Sequence, residues 1–276
     1  MTISPLAPAK FPNLPEIGGV TFAAASAGVK YQGRTDVMLA LLDAGTSVAG
    51  VFTRSATRAA PVLDCQSKLG GDSTGSAAIL VNSGNANAFT GKNGADSVAA
   101  LTAAVSKETG VPQSRVFTSS TGVIGEPLPH DRVIGKIEEL HANQSATAIA
   151  EAANAIMTTD TFAKGAAATA VVDGKPVKIA GIAKGSGMIA PDMATMLVYI
   201  FTDGQIGQGD LQSLVSTLNA KTFNCITVDS DTSTSDTLIM AATGASGVDV
   251  TGNTDFADAL HDIMRDLAHQ VVRDGE

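Results

Sequence analysis

The sequence predicts an α/β or α+β protein in which helices pack on sheets. Short apolar runs rich in β-branched residues recur along the chain, and glycine- and asparagine-rich turns bound them, as is typical of strands. Other segments repeat apolar residues every three or four positions, which indicates amphipathic helices. The dipeptide Asp173-Gly174 between two β-type runs is a strong signal for a two-residue hairpin. Strands and helices thus intermix, with hairpins among them, and helices layered on sheets are the natural packing.

Each predicted element follows from one of these patterns. Strands are predicted near Val20 and at 36–42, 47–53, 77–81, 115–118, 166–172, 175–182, 195–202, 225–228 and 237–241. The second and third of these runs are separated by four turn-forming residues, so we expect them to pair as a hairpin. Amphipathic periodicity predicts helices at 92–109, 131–140, 145–157, 211–218 (with Asp210 as N-cap) and 255–273.

Composition limits the class of protein. The 276 residues suffice for one large domain or two modest ones, and 44% are hydrophobic although only 4% are aromatic. The core must therefore be built mainly from Ala, Val, Ile and Leu. A net charge of −9 argues against nucleic acid or an anionic membrane as a partner, because both bind basic surfaces.

Targeting and redox signals are weak. The first 19 residues have no apolar core of a signal peptide, and no apolar run approaches the roughly 20 residues that span a bilayer. Cys65 and Cys225 have no metal-type spacing, and both are expected to be buried small apolar residues rather than a disulfide. These features predict a cytoplasmic protein.

One stretch, 184–203, combines a flexible loop with a buried strand. Gly185 and Gly187 permit unusual backbone angles, and the residues from Thr195 to Thr202 have strand character. Thr195 therefore lies where a glycine-rich loop enters a core strand. Such a threonine is usually an ordinary strand residue, but a hydroxyl held there is also well placed as a nucleophile.

The residues from Lys184 to Leu197 resemble the self-cleavage site of the ornithine acetyltransferase family of arginine biosynthesis, the ArgJ family. The shared features are Lys-Gly-x-Gly-Met, a proline and the core Met-Ala-Thr-Met-Leu. The resemblance implies cleavage between Ala194 and Thr195, and a layered α/β/β/α sandwich. It divides the chain into an N-terminal (α) region, 1–194, and the start of a C-terminal (β) region, 195–276.

Cleavage at this point would activate the threonine. A threonine hydroxyl is a weak nucleophile until a base lies beside it, and an N-terminal threonine carries its own amine as that base. The unperturbed pKa of a free α-amine, about 7.7–8.0, suits proton transfer at neutral pH.

Further residues gain roles from the same resemblance. By themselves the segment 120–125 is a glycine-rich turn, the segment after Met157 a polar helix end, and Lys184 a solvated lysine. The resemblance implies an oxyanion hole and a substrate-binding set. The oxyanion residues are Thr121 and Gly122, and the substrate-binding residues are Thr158, Lys184, Thr195 and Glu276.

The acidic run 229–236 invites a metal interpretation. It lacks the glycine and terminal glutamate of a calcium loop, so a hydrogen-bonded polar loop is favoured, and the family has a similar loop. The four histidines are scattered and suggest neither a metal site nor a catalytic triad. No metal is predicted.

The predicted function is acetyl transfer from N2-acetyl-L-ornithine to L-glutamate through an acetyl-threonine, without a metal or organic cofactor. The resemblance also allows acetyl-CoA as acetyl donor, and implies a heterotetramer of two α and two β chains at full family length. It covers nearly all of this chain but about the first two-thirds of a family member. Two alternatives remain: an aminopeptidase of the same architecture, and a non-catalytic small-molecule-binding module, which would have no reason to cleave itself.

Overall fold

The computed structural model describes residues 2–190 and 196–276. Strands and helices intermix along this part of the chain. The strands are β1 (Val20–Ala25), β2 (Val37–Leu42), β3 (Ser47–Phe52), β4 (Ala77–Asn85), β5 (Val116–Val123), β6 (Lys164–Val172), β7 (Lys175–Lys184), β8 (Leu197–Thr202) and β9 (Thr237–Ala242). The helices are α1 (Ala60–Lys68), α2 (Gly91–Thr109), α3 (His130–Ile134), α4 (Ile137–Ala142), α5 (Ile149–Ala155), α6 (Gln208–Asn219) and α7 (Thr254–Arg273).

The described strands form two sheets. The first has the order β1-β2-β4-β5, with β4 and β5 parallel and the other pairs antiparallel. The second has the order β3-β9-β8-β7-β6, with β8 and β9 parallel and the other pairs antiparallel. Each sheet thus contains one parallel pair, and the carboxyl ends of β4 and β5 lie side by side.

The two sheets pack face to face, and β8 shows how. Leu197, Tyr199 and Phe201 belong to the core between the sheets, whereas Val198 and Ile200 belong to the core under the helices. Alternate residues of a strand point to opposite faces, so a strand buried on both faces is a continuous apolar run. Across the interface, the rings of Phe22 and Phe201 meet edge to face with centroids 5.0 Å apart.

Helices cover both outer faces. Helices α2, α3 and α4 pack on the first sheet, and α6 and α7 pack on the second. Helices α1 and α5 contribute to the core between the sheets. The predicted α/β/β/α sandwich is confirmed. None of the helices in the described residues is long and apolar enough to cross a membrane.

The predicted hairpin of 36–42 and 47–53 is wrong, although both strands exist. Strand β2 lies between β1 and β4, and β3 pairs with β9 in the other sheet. In a hairpin with one face toward solvent, apolar and polar residues alternate along each strand. Both of these strands are instead almost wholly buried. The chain therefore changes sheets at the four-residue turn.

Several element boundaries also differ from the prediction. The expected strand at 225–228 is absent, since Phe223–Cys225 is a 3-10 turn and the Val228 amide bonds to the Ile189 carbonyl. Helix α6 has Gly207 as its N-cap, and Asp210 lies within its first turn. The segment 131–140 divides into two short helices near Gly135.

The two cysteines differ from one another. Both are free thiols; Cys65 is buried, as predicted, but Cys225 is exposed. The Cys65 thiol donates to the carbonyl of Thr118 at 3.2 Å. Burial raises the pKa of Cys65 to about 12, so this thiol is an apolar core residue.

Candidate active site

The candidate site lies where the two sheets meet at the carboxyl ends of β5 and β7. Thr121 is near the end of β5, and Lys184 is the last residue of β7. Lys184 pairs with Leu197 at the start of β8, two residues after Thr195. Ala194 and Thr195 themselves lie outside the described residues.

Lys184 connects two of the predicted site residues. Its ammonium donates one hydrogen bond to the Thr158 hydroxyl at 2.7 Å and a second to the Thr121 hydroxyl at 3.3 Å. The side chain is 2% exposed, and Asp160 Oδ2 lies 3.9 Å from its Nζ. Burial lowers the pKa of Lys184, and the Asp160 carboxylate opposes that shift. Sequence alone suggested a solvated lysine, so its burial is the chief new fact.

The hydrogen bonds from Lys184 leave the hydroxyls of Thr121 and Thr158 able to donate to a ligand. An ammonium has three N–H donors and no acceptor. A hydroxyl that accepts from it keeps its own proton free to donate elsewhere. Thr121 and Thr158 are thereby oriented as hydrogen-bond donors.

Gly122 lies at a tight approach of two strands. Its φ is +132°, and a Cβ built there would lie 2.3 Å from the carbonyl carbon of Gly84. The register of β4 against β5 also shifts at Gly84 and Asn85, as in a β-bulge. Only glycine fits this backbone, which brings a main-chain segment beside Thr121 without a side chain in the way.

Asp160 organises the turn after α5. Its Oδ2 accepts from the Thr158 amide at 3.0 Å, and its Oδ1 accepts from the Gly185 amide at 2.6 Å and from Lys164 Nζ at 2.7 Å. Burial alone would raise the pKa of Asp160, but Lys184, Lys164 and the hydrogen bonds together lower it to about 2. Asp160 is therefore an ionised carboxylate that fixes Thr158 beside Lys184.

Glu276 reaches the same loop from the far end of the described chain. Its amide donates to the Ser186 carbonyl at 2.9 Å, and the Ser186 hydroxyl donates to its Oε1 at 3.3 Å. A Cβ on Gly187 would lie 2.9 Å from Glu276 Cδ. The absence of a side chain at Gly187 thus gives the carboxylate room. The Ser186 hydroxyl also contacts that of Thr159, at 2.7 Å, which joins Glu276 to the Thr158 turn.

Two carboxylates of the acidic run 229–236 bond to the backbone, one before and one after the predicted nucleophile Thr195. Asp229 accepts from the amides of Met188 and Ile189. Asp236 Oδ1 accepts from the Met196 amide at 2.8 Å. Among the described residues no group of three or more histidines, cysteines or acids is arranged to hold a metal ion. Hydrogen bonding to the backbone accounts for Asp229 and for one oxygen of Asp236.

Asp236 differs from the other site carboxylates. It is 0% exposed, and its Oδ2 has no hydrogen-bond partner in the described part of the chain. Burial raises the pKa of Asp236 well above its ordinary value, against the smaller effects of the Met196 amide and Lys184. Burial therefore favours the protonated form of the Asp236 carboxyl group.

Four site residues were not predicted from the sequence: Asp160, Lys164, Asp236 and Asp274. Lys164 and Asp274 form a buried ion pair at 2.6 Å, and Asp236 was treated only as part of a polar loop. A signal existed for Asp236, which directly precedes a strongly apolar strand. No local pattern marks Lys164, since its partners Asp160 and Asp274 come together only in the fold.

The fold and the site together define a class: an α/β/β/α sandwich with a buried lysine between threonine hydroxyls at one end of its sheets. The ArgJ family model matches residues 21–276. An arginine biosynthesis bifunctional protein ArgJ of Ruegeria pomeroyi is 70% identical over 274 residues, which are 99% of this chain and 67% of that protein. The chain belongs to the ArgJ family, and it spans about two-thirds of the length of this relative.

One solved structure agrees with that assignment, and a second shares the fold. The crystal structure of an ornithine acetyltransferase complexed with ornithine, from Mycobacterium tuberculosis, is 33% identical with a TM-score of 0.56, over 66% of this chain and 94% of that one. An L-aminopeptidase D-Ala-esterase/amidase from Ochrobactrum anthropi, a variant of the Ntn hydrolase fold, has a TM-score of 0.55 over 98% of this chain and 89% of that one. At 11% identity the second match shows the fold alone.

Proposed function

We propose that this chain carries the acetyl-transfer site of a glutamate N-acetyltransferase of arginine biosynthesis. N-acetylornithine acetylates Thr195 and leaves as ornithine, and glutamate then takes the acetyl group to become N-acetylglutamate. Family membership supports the reaction, since a 33% identical structure is named an ornithine acetyltransferase and contains ornithine. The observation that carries the site assignment is the contact of Lys184 with both Thr121 and Thr158.

The nucleophile forms by self-cleavage in this proposal. The Thr195 hydroxyl attacks the Ala194 carbonyl, and the peptide C–N bond breaks, which frees the Thr195 amine and leaves an ester. Water then hydrolyses the ester to give the Ala194 carboxylate and the free Thr195 hydroxyl. The length of the Mycobacterium tuberculosis chain supports this, because 66% of 276 residues make up 94% of a chain of about 190 residues. That length is close to the predicted region 1–194.

The oxyanion is stabilised by Thr121 and Gly122. As Thr195 Oγ attacks the acetyl carbonyl, negative charge develops on the carbonyl oxygen, and donors aimed at that oxygen lower the barrier. Lys184 leaves the Thr121 proton free to be one such donor. The ammonium itself adds positive charge nearby in a dry environment, where its field is strong.

Substrate recognition uses groups of both charges. An α-amino acid presents a carboxylate and an ammonium, and the site offers Lys184 and the Thr158 hydroxyl for the first and the Glu276 carboxylate for the second. Thr195 contacts the acetyl group. Lys184 directly precedes the loop 185–187 and Glu276 bonds to Ser186 within it, so both charges lie beside the same loop.

The proposal also covers the cofactors, the acetyl donor, the cellular location and the assembly of the enzyme. The transfer needs no metal or organic cofactor, and acetyl-CoA is an alternative acetyl donor. The enzyme acts in the cytoplasm on small molecules and assembles, at full family length, as a heterotetramer of two α and two β chains. Acetyl-CoA use is tested by offering it in place of N-acetylornithine and measuring N-acetylglutamate.

Intact mass and acetyl transfer test the proposal together. The chain, and a version extended to the length of its relatives, are measured as wild type, as Thr195→Ala and as the conservative control Thr195→Ser. Wild-type protein should give two fragments that divide between Ala194 and Thr195, and Thr195→Ala should neither divide nor transfer. Transfer by Thr195→Ala would contradict the assignment. Release of free acetate without an acceptor, in place of transfer, would favour the hydrolytic alternative.

A further inference from the structure

Lys164 is buried between two carboxylates on opposite sides of the predicted cleavage point. Its ammonium donates to Asp160 Oδ1 at 2.7 Å and to Asp274 Oδ2 at 2.6 Å, and all three side chains are 0% exposed. Asp160 belongs to the region 1–194 and Asp274 to the region 195–276. One buried cation therefore links the two chains that cleavage would produce.

The Asp160 end of this link reaches two substrate-binding groups. Asp160 accepts from the Thr158 amide at 3.0 Å and lies 3.9 Å from Lys184 Nζ. It also accepts from the Gly185 amide at 2.6 Å, immediately after Lys184. A movement of the Asp160 carboxylate would displace both Thr158 and Lys184.

The Asp274 end reaches the third group. Asp274 Oδ2 accepts from the Thr161 amide at 2.9 Å, and its Oδ1 accepts from the Thr161 hydroxyl. Two residues later the Glu276 amide donates to the Ser186 carbonyl at 2.9 Å. The segment is thus held at both ends, and only Gly275 lies between them.

The charges of the cluster balance. Lys164 and Lys184 oppose Asp160 and Asp274, and all four residues are buried. Loss of Lys164 alone would leave two buried carboxylates with one cation, which is an unfavourable arrangement away from water. Removing one cation and one anion together keeps the cluster neutral, so the link can be broken without leaving a net charge.

We propose that Lys164 is a positioning residue. It holds Thr158, Lys184 and Glu276 in fixed positions relative to one another across the predicted cleavage point. The inference deepens the proposed function and rests on it for the identity of the substrate. Lys164 contacts none of the reacting atoms. Its loss should therefore weaken substrate binding more than it slows the chemical step on bound substrate.

The test compares wild type with the neutral double variant Lys164→Met/Asp274→Asn in the whole protein. The matched control is Lys136→Met/Glu139→Gln, which removes a half-exposed ion pair of 2.7 Å. Two quantities are measured: hydrogen exchange at the Glu276 amide, and kcat and KM for N-acetylornithine. The first does not require activity, so it separates this inference from the proposed function.

In the cluster variant we expect Glu276 exchange to quicken at least about tenfold, because the segment loses its Asp274 anchor. We also expect KM to rise about tenfold or more with kcat within about threefold of wild type, and the control variant to match wild type. Wild-type exchange and KM in the cluster variant would overturn the proposal, whatever its thermal stability. If wild type transfers no acetyl group, the proposed function fails and the exchange result alone decides the role of Lys164.

Discussion

The pKa values of two buried carboxyl groups beside the site, Asp160 and Asp236, are shifted in opposite directions. Asp160 accepts from two amides and one lysine and lies near a second lysine, and its pKa is about 2. Asp236 accepts from the Met196 amide, and its other oxygen has no partner in the described part of the chain. Its pKa is raised well above the usual value. Both side chains are buried, but two lysines and two amides lower the pKa of Asp160, whereas burial dominates at Asp236 and raises its pKa.

Removal of the Asp160 carboxylate should have the largest effect on stability. Asp160→Ala leaves Lys164 and Lys184 with fewer counter-charges in a dry environment, and breaking a buried ion pair typically costs about 3–5 kcal/mol. The control is Asp96→Ala, which breaks an exposed pair with Lys92 and should cost about 0.5 kcal/mol or less. Chemical denaturation measures both. Equal losses in the two variants would contradict the role given to Asp160.

A methyl group at Gly122 should abolish most of the transfer activity. Gly122→Ala places a Cβ 2.3 Å from the Gly84 carbonyl carbon, so the end of β5 must move. Loss of one oxyanion donor typically lowers kcat about 10²–10³-fold, and we expect a reduction of this size. Gly125→Ala is the control, since Gly125 also has a positive φ (+88°) but no atom within 4 Å of the added Cβ. A similar kcat in both variants would remove Gly122 from the oxyanion hole.

The pH dependence of stability should separate the two carboxylates. The lowered pKa of Asp160 stabilises the fold above the unfolded value of about 3.9, and this contribution is lost as the pH falls toward about 2. The raised pKa of Asp236 has the opposite sign: its contribution is complete below about 3.9 and is lost as the pH rises toward the folded pKa.

Wild type should therefore lose stability relative to Asp236→Asn as the pH rises above about 4, by at most about 1.4 kcal/mol per pH unit. Asparagine keeps an oxygen acceptor for the Met196 amide, so the comparison isolates the ionisation of Asp236. Denaturation midpoints of both proteins across this pH range measure the difference. A constant difference would show that Asp236 has an ordinary pKa.

The smallest effect is expected at Tyr199, in the core between the sheets. Its hydroxyl is buried without a hydrogen-bond partner among the described residues. Tyr199→Phe removes that unsatisfied group and should stabilise the fold by about 0–1 kcal/mol. Thermal denaturation measures this, and a loss above about 1 kcal/mol would indicate that the hydroxyl is bonded.

The sequence predicted those features that depend on local patterns. Apolar periodicity located α2 and α7 to within a residue, and Asp173-Gly174 located the turn between β6 and β7. Strand pairing was harder to predict, because β2 and β3 are buried on both faces and carry no alternation to indicate a partner. Their assignment to different sheets depends on contacts with strands far along the chain.

The site could be predicted only where a motif marks it. The resemblance around Lys184 suggested contact with substrate, but the residues gave no reason to expect a buried lysine between two hydroxyls. The pair of Lys164 and Asp274 joins positions 110 residues apart. Such a contact has no sequence signature, because each residue alone resembles an ordinary surface charge.

Trapping the acetylated nucleophile tests the account most directly. Protein that has divided between Ala194 and Thr195 is incubated with N-acetylornithine in the absence of glutamate, quenched in acid and measured by intact mass. We expect the fragment beginning at Thr195 to gain the mass of one acetyl group, and added glutamate to remove it. Acetylation of the other fragment, or transfer to glutamate without any acetylated protein, would contradict it.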